Sequence, residues 1–202
     1  MGKITLLLFV ATILLVSCSN TQDIKYTELS DIKIIAHRGL HQSAAPNSIE
    51  AIISAMETNV DFIEFDLRMT KDRRLVIAHD ENISFISGDT IKICNYTYDE
   101  LKEKYSIEVV SSKLPELDNI YTLLCNSDKK CVVDLKIWMD TDYLNNVYNT
   151  LCKYDRVSKD IFASYSLEAL EYLKQLNCDN VVALNISTQT QWNDYIASKD
   201  NA

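Results

Sequence analysis

The sequence predicts an α/β fold built from parallel β/α units, in the form of a (β/α) barrel with about six of its eight strands. Short runs rich in β-branched and aromatic residues alternate along the chain with longer segments of helical periodicity. Only three Gly and two Pro interrupt this alternation. Because a closed barrel of this kind takes about 250 residues and 202 are present, we expect a fragment of a longer chain in preference to a shortened barrel.

The predicted elements alternate between strand and helix over most of the chain. Strands are predicted at residues 32–39, 62–70, 75–80, 131–137, 161–166 and 181–186. Helices are predicted at residues 47–59, 98–105, 117–126, 142–154 and 167–177. In the first helix, Ile49, Ile52 and Ile53 fall on one face. Either Asn47 or Ser48 is expected to cap its first turn.

Residues 1–17 are predicted to be a secretory signal, and residues 18–30 a tether to a barrel domain at residues 31–202. Lys3 precedes a mainly apolar run of thirteen residues, which is shorter than the roughly 20 residues that span a bilayer. The signal ends in "LVSC", which resembles a bacterial lipobox, so Cys18 is expected to be lipidated; an ordinary cleaved signal is the alternative. We therefore expect an exported, membrane-anchored lipoprotein that faces the periplasm or the cell exterior.

The charge balance argues against a nucleic-acid partner. The chain has 20 Lys and Arg against 29 Asp and Glu, for a formal net charge of −9 at pH 7, and it has no cluster of basic residues. Nucleic-acid binding depends on neutralising phosphates with such residues. The acidic balance is compatible with a cation site, and the apolar content of 47% is that of an ordinary folded domain.

Two acidic residues stand out because they interrupt an apolar strand. Glu64 and Asp66 are two positions apart, so they share one face with their Cα atoms about 6.5 Å apart. Carboxylates this close repel each other unless a proton or a cation lies between them. Hard cations such as Ca²⁺ and Mg²⁺ take oxygen ligands of this kind. Asp134 and Lys136 repeat the same spacing on another predicted strand.

Two histidines follow predicted strands and are expected at the same rim as these acids. His37 follows "KIIA", His79 follows "LVIA", and Arg38 stands beside the first of them. The carboxyl ends of parallel barrel strands meet at one rim, where active sites are built. Imidazoles can pass protons near neutral pH, and Arg can bind phosphate with two hydrogen bonds. The pattern indicates metal-assisted cleavage of a phosphodiester.

The segments "IAHRG", "IEFDLRMTKDRRLVIAHD" and "VVDLK" together resemble the motifs of the glycerophosphodiester phosphodiesterase family. The family pattern runs H-R-G, E-x-D, T-x-D-G, H-D and a later E-x-K. The resemblance implies a TIM barrel and a divalent cation, Ca²⁺ or Mg²⁺. It also implies a small-molecule substrate, a glycerophosphodiester, that is split into glycerol 3-phosphate and an alcohol.

The resemblance assigns roles to seven residues of this chain. His37 and His79 would be the acid/base pair, and Arg38 and Lys136 would contact the phosphate. The metal ligands would be Glu64, Asp66 and Asp134, the last where the family usually has Glu. Two further motifs depart from the family pattern. Residues 45–48 read Ala-Pro-Asn-Ser in place of P-E-N-T, and residues 70–73 read Thr-Lys-Asp-Arg without the usual Gly.

Two other functions are open at this point. The "DLK" form resembles the related sphingomyelinase D group, which has Asp in this place, and this resemblance suggests a phospholipase D-like enzyme acting on lipids. The missing Glu at residues 45–48 and the short C-terminus instead favour a non-catalytic lipoprotein that binds a cation or lipid headgroups.

Overall fold

The structure, a computed structural model, describes residues 32–85, 88–108, 114–136, 140–177 and 179–200. The predicted signal, the tether and the lipidation site Cys18 therefore lie outside the described residues. Within the described ranges, no helix combines the length and apolar character that crossing a bilayer requires.

The described chain forms eight strands and six α-helices. In chain order the strands are β1 (Ile35–Ala36), β2 (Phe62–Met69), β3 (Leu75–Ile77), β4 (Asn82–Ser84), β5 (Thr90–Lys92), β6 (Lys130–Leu135), β7 (Ile161–Ser164) and β8 (Val181–Leu184). The helices are α1 (Ile49–Met56), α2 (Tyr98–Glu108), α3 (Leu117–Leu124), α4 (Thr141–Lys153), α5 (Leu167–Leu176) and α6 (Gln189–Asp200).

Five parallel strands form the main sheet in the order β1-β2-β6-β7-β8. A helix precedes each new strand, so these strands and their helices are consecutive β/α units of a barrel. The predicted α/β barrel class is confirmed. A sixth strand, β3, pairs with β2, so all six predicted strands occur in the sheet, although β1 keeps only two of its eight predicted residues.

The expectation that residues 75–80 form another parallel strand is wrong, because β3 runs antiparallel to β2. Five residues, 70–74, join the two strands. A parallel connection needs a crossover of about a dozen residues or more, whereas a hairpin needs only a short turn. In this turn Arg73 takes the left-handed conformation, with φ +65°, at the position where the family has Gly.

The two faces of the sheet have different contents, as the alternation of strand residues requires. The face toward the helices is apolar and fully buried, with Ile63, Phe65, Leu67, Cys131, Val133 and Leu135 at its centre. The opposite face carries a small apolar layer of Val132, Ala163 and Ala183, against which Ile35, Phe62 and Ile161 pack. The acidic residues predicted as ligands lie on this second face, where Glu64 is level with Val132 and Asp134 is level with Ala163.

The segment between β2 and α3 forms a separate small lobe at the carboxyl end of the sheet. It contains β3, the hairpin of β4 and β5, and helix α2. Its own core consists of Val76, Ile83, Phe85, Ile93, Tyr98, Leu101 and Leu114. The hairpin was not predicted because its strands are three residues long and largely polar. Helix α6 was also missed.

One ion pair is buried at the amino ends of the strands, and we call Arg156 and Asp160 the floor pair. Arg156 donates to both Asp160 oxygens, at 3.0 and 2.6 Å. Asp160 also accepts from the Cys131 backbone N–H at 2.8 Å, and Arg156 donates to the Lys129 carbonyl at 2.6 Å. Both side chains are almost fully buried. The pair joins the start of β6 to the start of β7.

Candidate active site

The three predicted acidic ligands meet on adjacent strands. Asp66 of β2 lies directly beside Asp134 of β6 in the parallel register, and Glu64 precedes Asp66 on the same face. One oxygen from each of the three carboxyl groups lies within 4.8 Å of the other two, and all three residues are buried. Although Asp134 is one methylene shorter than Glu, it still reaches the other two.

Two cations contact these carboxylates. Lys136 places its Nζ 2.8 Å from Asp66 Oδ1 and 2.6 Å from Asp134 Oδ2. The Nε of Arg38 lies 3.1 Å from Asp66 Oδ2. We call Glu64, Asp66, Asp134, Arg38 and Lys136 the rim cluster. It contains three carboxyl groups and two permanent cations.

The sequence His-Arg-Gly after β1 is explained by the close approach of this loop to helix α1. Gly39 has φ +77°, and a Cβ at this position would lie 2.7 to 2.9 Å from atoms of Ala51. Only Gly fits both requirements. Its N–H donates to the Glu64 carbonyl at 3.2 Å. The loop is thereby held so that the Arg38 backbone N–H donates to Glu64 Oε2 at 2.7 Å.

Burial and charge shift the titration of the three acids in different directions. Burial, reinforced by the negative charge of Asp66, raises the pKa of Glu64 to about 8. Burial, with a contribution from the negative charge of Asp66, also raises the pKa of Asp134. For Asp66, burial is outweighed by the adjacent Lys136 ammonium and by a hydrogen bond from Asn47, and the pKa is lowered. Without a further positive charge, Glu64 therefore holds a proton at neutral pH.

The rim cluster fits a divalent cation. Asp66 Oδ1 is buried and has no hydrogen bond of acceptable geometry; although Lys136 is within ion-pair distance, its angle to this oxygen is poor. An unsatisfied buried acceptor is rare in folded proteins and needs another partner. Carboxylate oxygens are the ligands that Ca²⁺ and Mg²⁺ prefer. A cation bound beside Glu64 would favour the charged form of this carboxyl group, which would then lose its proton.

His37 and His79 reach this site by different routes. His37 follows β1, and its Nε2 lies 3.9 Å from Glu64 Oε2. Burial and the positive charge of Arg38 lower the pKa of His37. The expectation that His79 follows a parallel strand is wrong. His79 instead follows β3, which runs antiparallel to β2 and returns the chain to the rim. There His79 Nδ1 lies 2.8 Å from Asp80 Oδ1.

Three polar residues that the sequence analysis did not assign also hold this site together. Asn47 donates from Nδ2 to Asp66 Oδ2 at 2.7 Å, while Ser48 is the cap of helix α1. Asn185 donates to Asp134 Oδ1 at 3.2 Å. Arg68 donates to the His79 carbonyl at 2.9 and 2.6 Å. Asn185 had one usable signal, since it is a polar residue at the end of an apolar predicted strand.

Two cavities open beside the rim cluster. The smaller has a volume of about 520 Å³ and is lined by residues that include His79 and Tyr165. The larger has a volume of about 700 Å³ and lies between the β2–β3 turn and the start of helix α4. Arg68, Glu81 and Lys136 line both cavities. A ligand held at the rim cluster therefore has space on two sides.

This chain is similar to known phosphodiesterases over most of its length. The model of the glycerophosphoryl diester phosphodiesterase family matches residues 37–200. A glycerophosphodiester phosphodiesterase of Caldanaerobacter subterraneus subsp. tengcongensis is 27% identical over 152 residues, which are 71% of this chain and 62% of that protein. A human lysophospholipase D is 23% identical over 158 residues, 73% of this chain and 49% of that protein.

A solved structure shows the same similarity. The crystal structure of a glycerophosphodiester phosphodiesterase from Parabacteroides distasonis matches with a TM-score of 0.64 and 25% identity, over 74% of this chain and 63% of that one. The present chain thus spans less than two thirds of the length of the relatives named here. The resemblance noted in the sequence motifs is confirmed.

Proposed function

Because this chain belongs to the glycerophosphoryl diester phosphodiesterase family, we propose that it hydrolyses a glycerophosphodiester to glycerol 3-phosphate and an alcohol, with a divalent cation. The observation that carries the proposal is the buried set of Glu64, Asp66 and Asp134, whose oxygens lie within 4.8 Å of one another. Such an arrangement is suited to hard cations. Two histidines at the same rim supply the acid and the base that cleavage of a diester needs.

In this proposal Glu64, Asp66 and Asp134 hold Ca²⁺ or Mg²⁺. When bound, the cation neutralises charge that develops on the phosphoryl oxygens. Arg38 and Lys136 contact the remaining phosphate oxygens, since both are already poised beside Asp66. Glu64 gives up its proton on loading because the nearby positive charge favours the carboxylate.

The two histidines take opposite roles. His37 is the base: its lowered pKa leaves the imidazole neutral near pH 7 and able to take a proton from the attacking oxygen. His79 is the acid. Its Nδ1 faces the Asp80 carboxylate, which orients the ring so that Nε2 can deliver a proton to the leaving alcohol. Arg68 fixes the position of His79 through its carbonyl.

The decisive experiment measures release of glycerol 3-phosphate from glycerophosphoethanolamine by the purified chain. We expect release with Ca²⁺ or Mg²⁺ and none after a chelator is added. His37→Ala and His79→Ala should each lower turnover at least about 100-fold, as loss of an acid or base does. His41→Ala is the matched control, because His41 is exposed on the same loop and has no assigned role. A folded chain that releases nothing, or an undiminished rate in either histidine variant, would contradict the proposal.

A second candidate substrate comes from the similarity to the human lysophospholipase D. Lysophosphatidylcholine carries the same phosphodiester as a glycerophosphodiester, with one acyl chain added. Choline release from this lipid in parallel with the first assay would identify the preferred substrate. Preference for the lipid would replace the proposal of a water-soluble diester.

We also propose that residues 1–17 are removed as a signal and that Cys18 is lipidated, which would place the enzyme on a membrane outside the cytoplasm. The proposal is supported by the sequence "LVSC" alone. Cys18→Ala should move the protein from the membrane fraction to the soluble fraction of the exported material. An unchanged membrane fraction would contradict lipidation at this residue.

A further inference from the structure

The larger cavity beside the rim cluster has a charge balance opposite to that of the whole chain. The chain carries an excess of Asp and Glu over Lys and Arg. The ionisable side chains that line the cavity are instead mainly cationic: Arg68, Lys71, Arg73, Lys92 and Lys136 against Glu81, Asp140 and Asp142. A concave site lined by one sign of charge concentrates ligands of the other sign.

The acidic residues of this cavity are already engaged. Asp142 forms an ion pair with Arg73, and Glu81 forms one with Lys92 at 3.0 Å. Asp140 caps the first turn of helix α4. Each of the three acidic side chains thus already has a partner within the chain.

Among the residues that the structure describes, two cations of this cavity have no carboxylate within ion-pair distance. The Lys71 ammonium makes no hydrogen bond or ion pair there, and its side chain is exposed to the cavity. Arg68 is partly buried, and its hydrogen bonds go to the neutral carbonyl of His79.

The cavity also borders the proposed point of cleavage. Lys136, which contacts Asp66 and Asp134, forms part of its wall, and Arg68 links that wall to His79. Its volume of about 700 Å³ is within the range of about 300 to 1,000 Å³ that is typical of sites for small organic ligands. A group attached to the phosphate at the rim cluster can enter it directly.

We propose that this cavity binds the alcohol part of the diester and selects an alcohol that carries an anionic oxygen group, with Lys71 and Arg68 as the residues that recognise it. The inference rests on the proposed function and deepens it by naming the substrate class. Charge-assisted hydrogen bonds between a carboxylate or phosphate and these two cations provide the selectivity.

Glycerophosphoserine and glycerophosphoethanolamine test the proposal, because they differ by a single carboxylate. We expect kcat/KM for glycerophosphoserine to exceed that for glycerophosphoethanolamine by about tenfold or more, which is the effect of one charge-assisted hydrogen bond. In Lys71→Met this ratio should fall to about one to three. Lys130→Met is the matched control, since Lys130 is exposed at the amino end of β6, away from the cavity, and the ratio should be unchanged.

The outcomes separate this inference from the proposed function. If both diesters are hydrolysed with equal efficiency, or if Lys71→Met keeps the preference, the inferred selectivity is wrong while the phosphodiesterase activity stands. If neither is hydrolysed, the proposed function fails. Calorimetric binding of the two diesters to the full chain then decides the selectivity: tighter binding of glycerophosphoserine, lost in Lys71→Met, would support it, and equal affinities would overturn it.

Discussion

Two groups of buried charges lie at opposite ends of the same sheet, and they differ in how their charges are balanced. In the floor pair one cation faces one carboxylate, and each oxygen of Asp160 accepts at least one hydrogen bond. In the rim cluster three carboxyl groups face two cations, and Asp66 Oδ1 has no properly directed hydrogen bond. The charges of the floor pair balance within the chain, whereas the rim cluster requires a proton or a cation to balance its charge.

The difference separates a structural role from a binding role. A neutral, fully hydrogen-bonded pair has no use for a ligand, and its burial at the amino ends of the strands gives none access. A surplus of buried negative charge is costly unless something positive joins it, and the rim cluster borders two cavities through which a cation and a substrate can enter. Strongly perturbed acids in such a position are typical of functional sites.

The largest effect on stability is expected at the floor pair. Asp160→Asn removes the carboxylate and leaves Arg156 as an uncompensated buried cation, which should lower the free energy of unfolding by about 3 to 5 kcal/mol. Urea denaturation measures the change. Lys159→Ala, which removes only an exposed ion pair with Asp155, is the control and should cost under about 1 kcal/mol. Equal, small losses in both variants would remove the distinction between the two groups.

The rim cluster should make stability depend on pH in the absence of metal. The folded-state pKa of Glu64, about 8, lies above its ordinary value of 4.5, so the folded state binds this proton more tightly. The stabilisation is full below about pH 4.5 and is lost as the pH rises toward about 8. Between pH 5 and 8 the wild type should lose about 3 kcal/mol more than Glu64→Gln.

Urea denaturation of both proteins in a chelator, at several pH values, checks this dependence. The matched control is Glu50→Gln, because Glu50 lies on the exposed face of helix α1. It should follow the wild-type curve. Parallel curves for wild type and Glu64→Gln would mean that Glu64 is ionised in the metal-free protein.

Added cation should stabilise the protein through the rim cluster alone. At a Ca²⁺ or Mg²⁺ concentration of 100 times Kd, the free energy of unfolding should rise by about 2.7 kcal/mol. The rise should be absent in Asp66→Asn, which removes a ligand, and unchanged in Asp160→Asn. Thermal or urea unfolding with and without the cation measures it. An equal rise in Asp66→Asn would place the cation somewhere else.

The smallest of these effects is expected at a residue that supports a ligand without contacting the cation. Asn185→Ala removes the hydrogen bond to Asp134 Oδ1 and should weaken cation binding about tenfold, as loss of such supporting contacts does. Isothermal titration measures the affinity. Asn193→Ala, on the exposed helix α6, should leave it unchanged. An unchanged affinity in Asn185→Ala would mean that Asp134 is held well enough by its strand and Lys136.

Much of the fold could be predicted because strand and helix periodicity is local. The predicted strand at residues 161–166 begins where β7 begins, and the predicted helix at residues 167–177 ends one residue beyond α5. The failures arose where pairing partners were far apart or elements were short. β3 pairs antiparallel with β2 and therefore forms a hairpin with it. The three-residue strands β4 and β5 carry too few apolar residues to show the alternation typical of a strand.

The acidic residues and the two cations of the rim cluster were predicted from their positions on the strands and from the family resemblance, and the structure brings them together. Asn47 shows the limit of such reasoning. At the start of a helix it is expected to be a cap, but Ser48 caps α1 and Asn47 turns toward Asp66, 19 positions further along the chain. Whether such a side chain caps its own helix or binds a residue distant in sequence depends on how closely β2 approaches the start of α1, which only the tertiary structure sets.

The sequence by itself determined which residues share a face: the alternation of a strand places Glu64 with Asp66 and Asp134 with Lys136, whatever surrounds them. The tertiary structure decided how these two pairs interact. The register between β2 and β6 sets Asp66 beside Asp134, and burial at that point raises the pKa of Glu64 to about 8. Electrostatic energies depend on distance and on lost water, and both quantities exist only once the strands are packed.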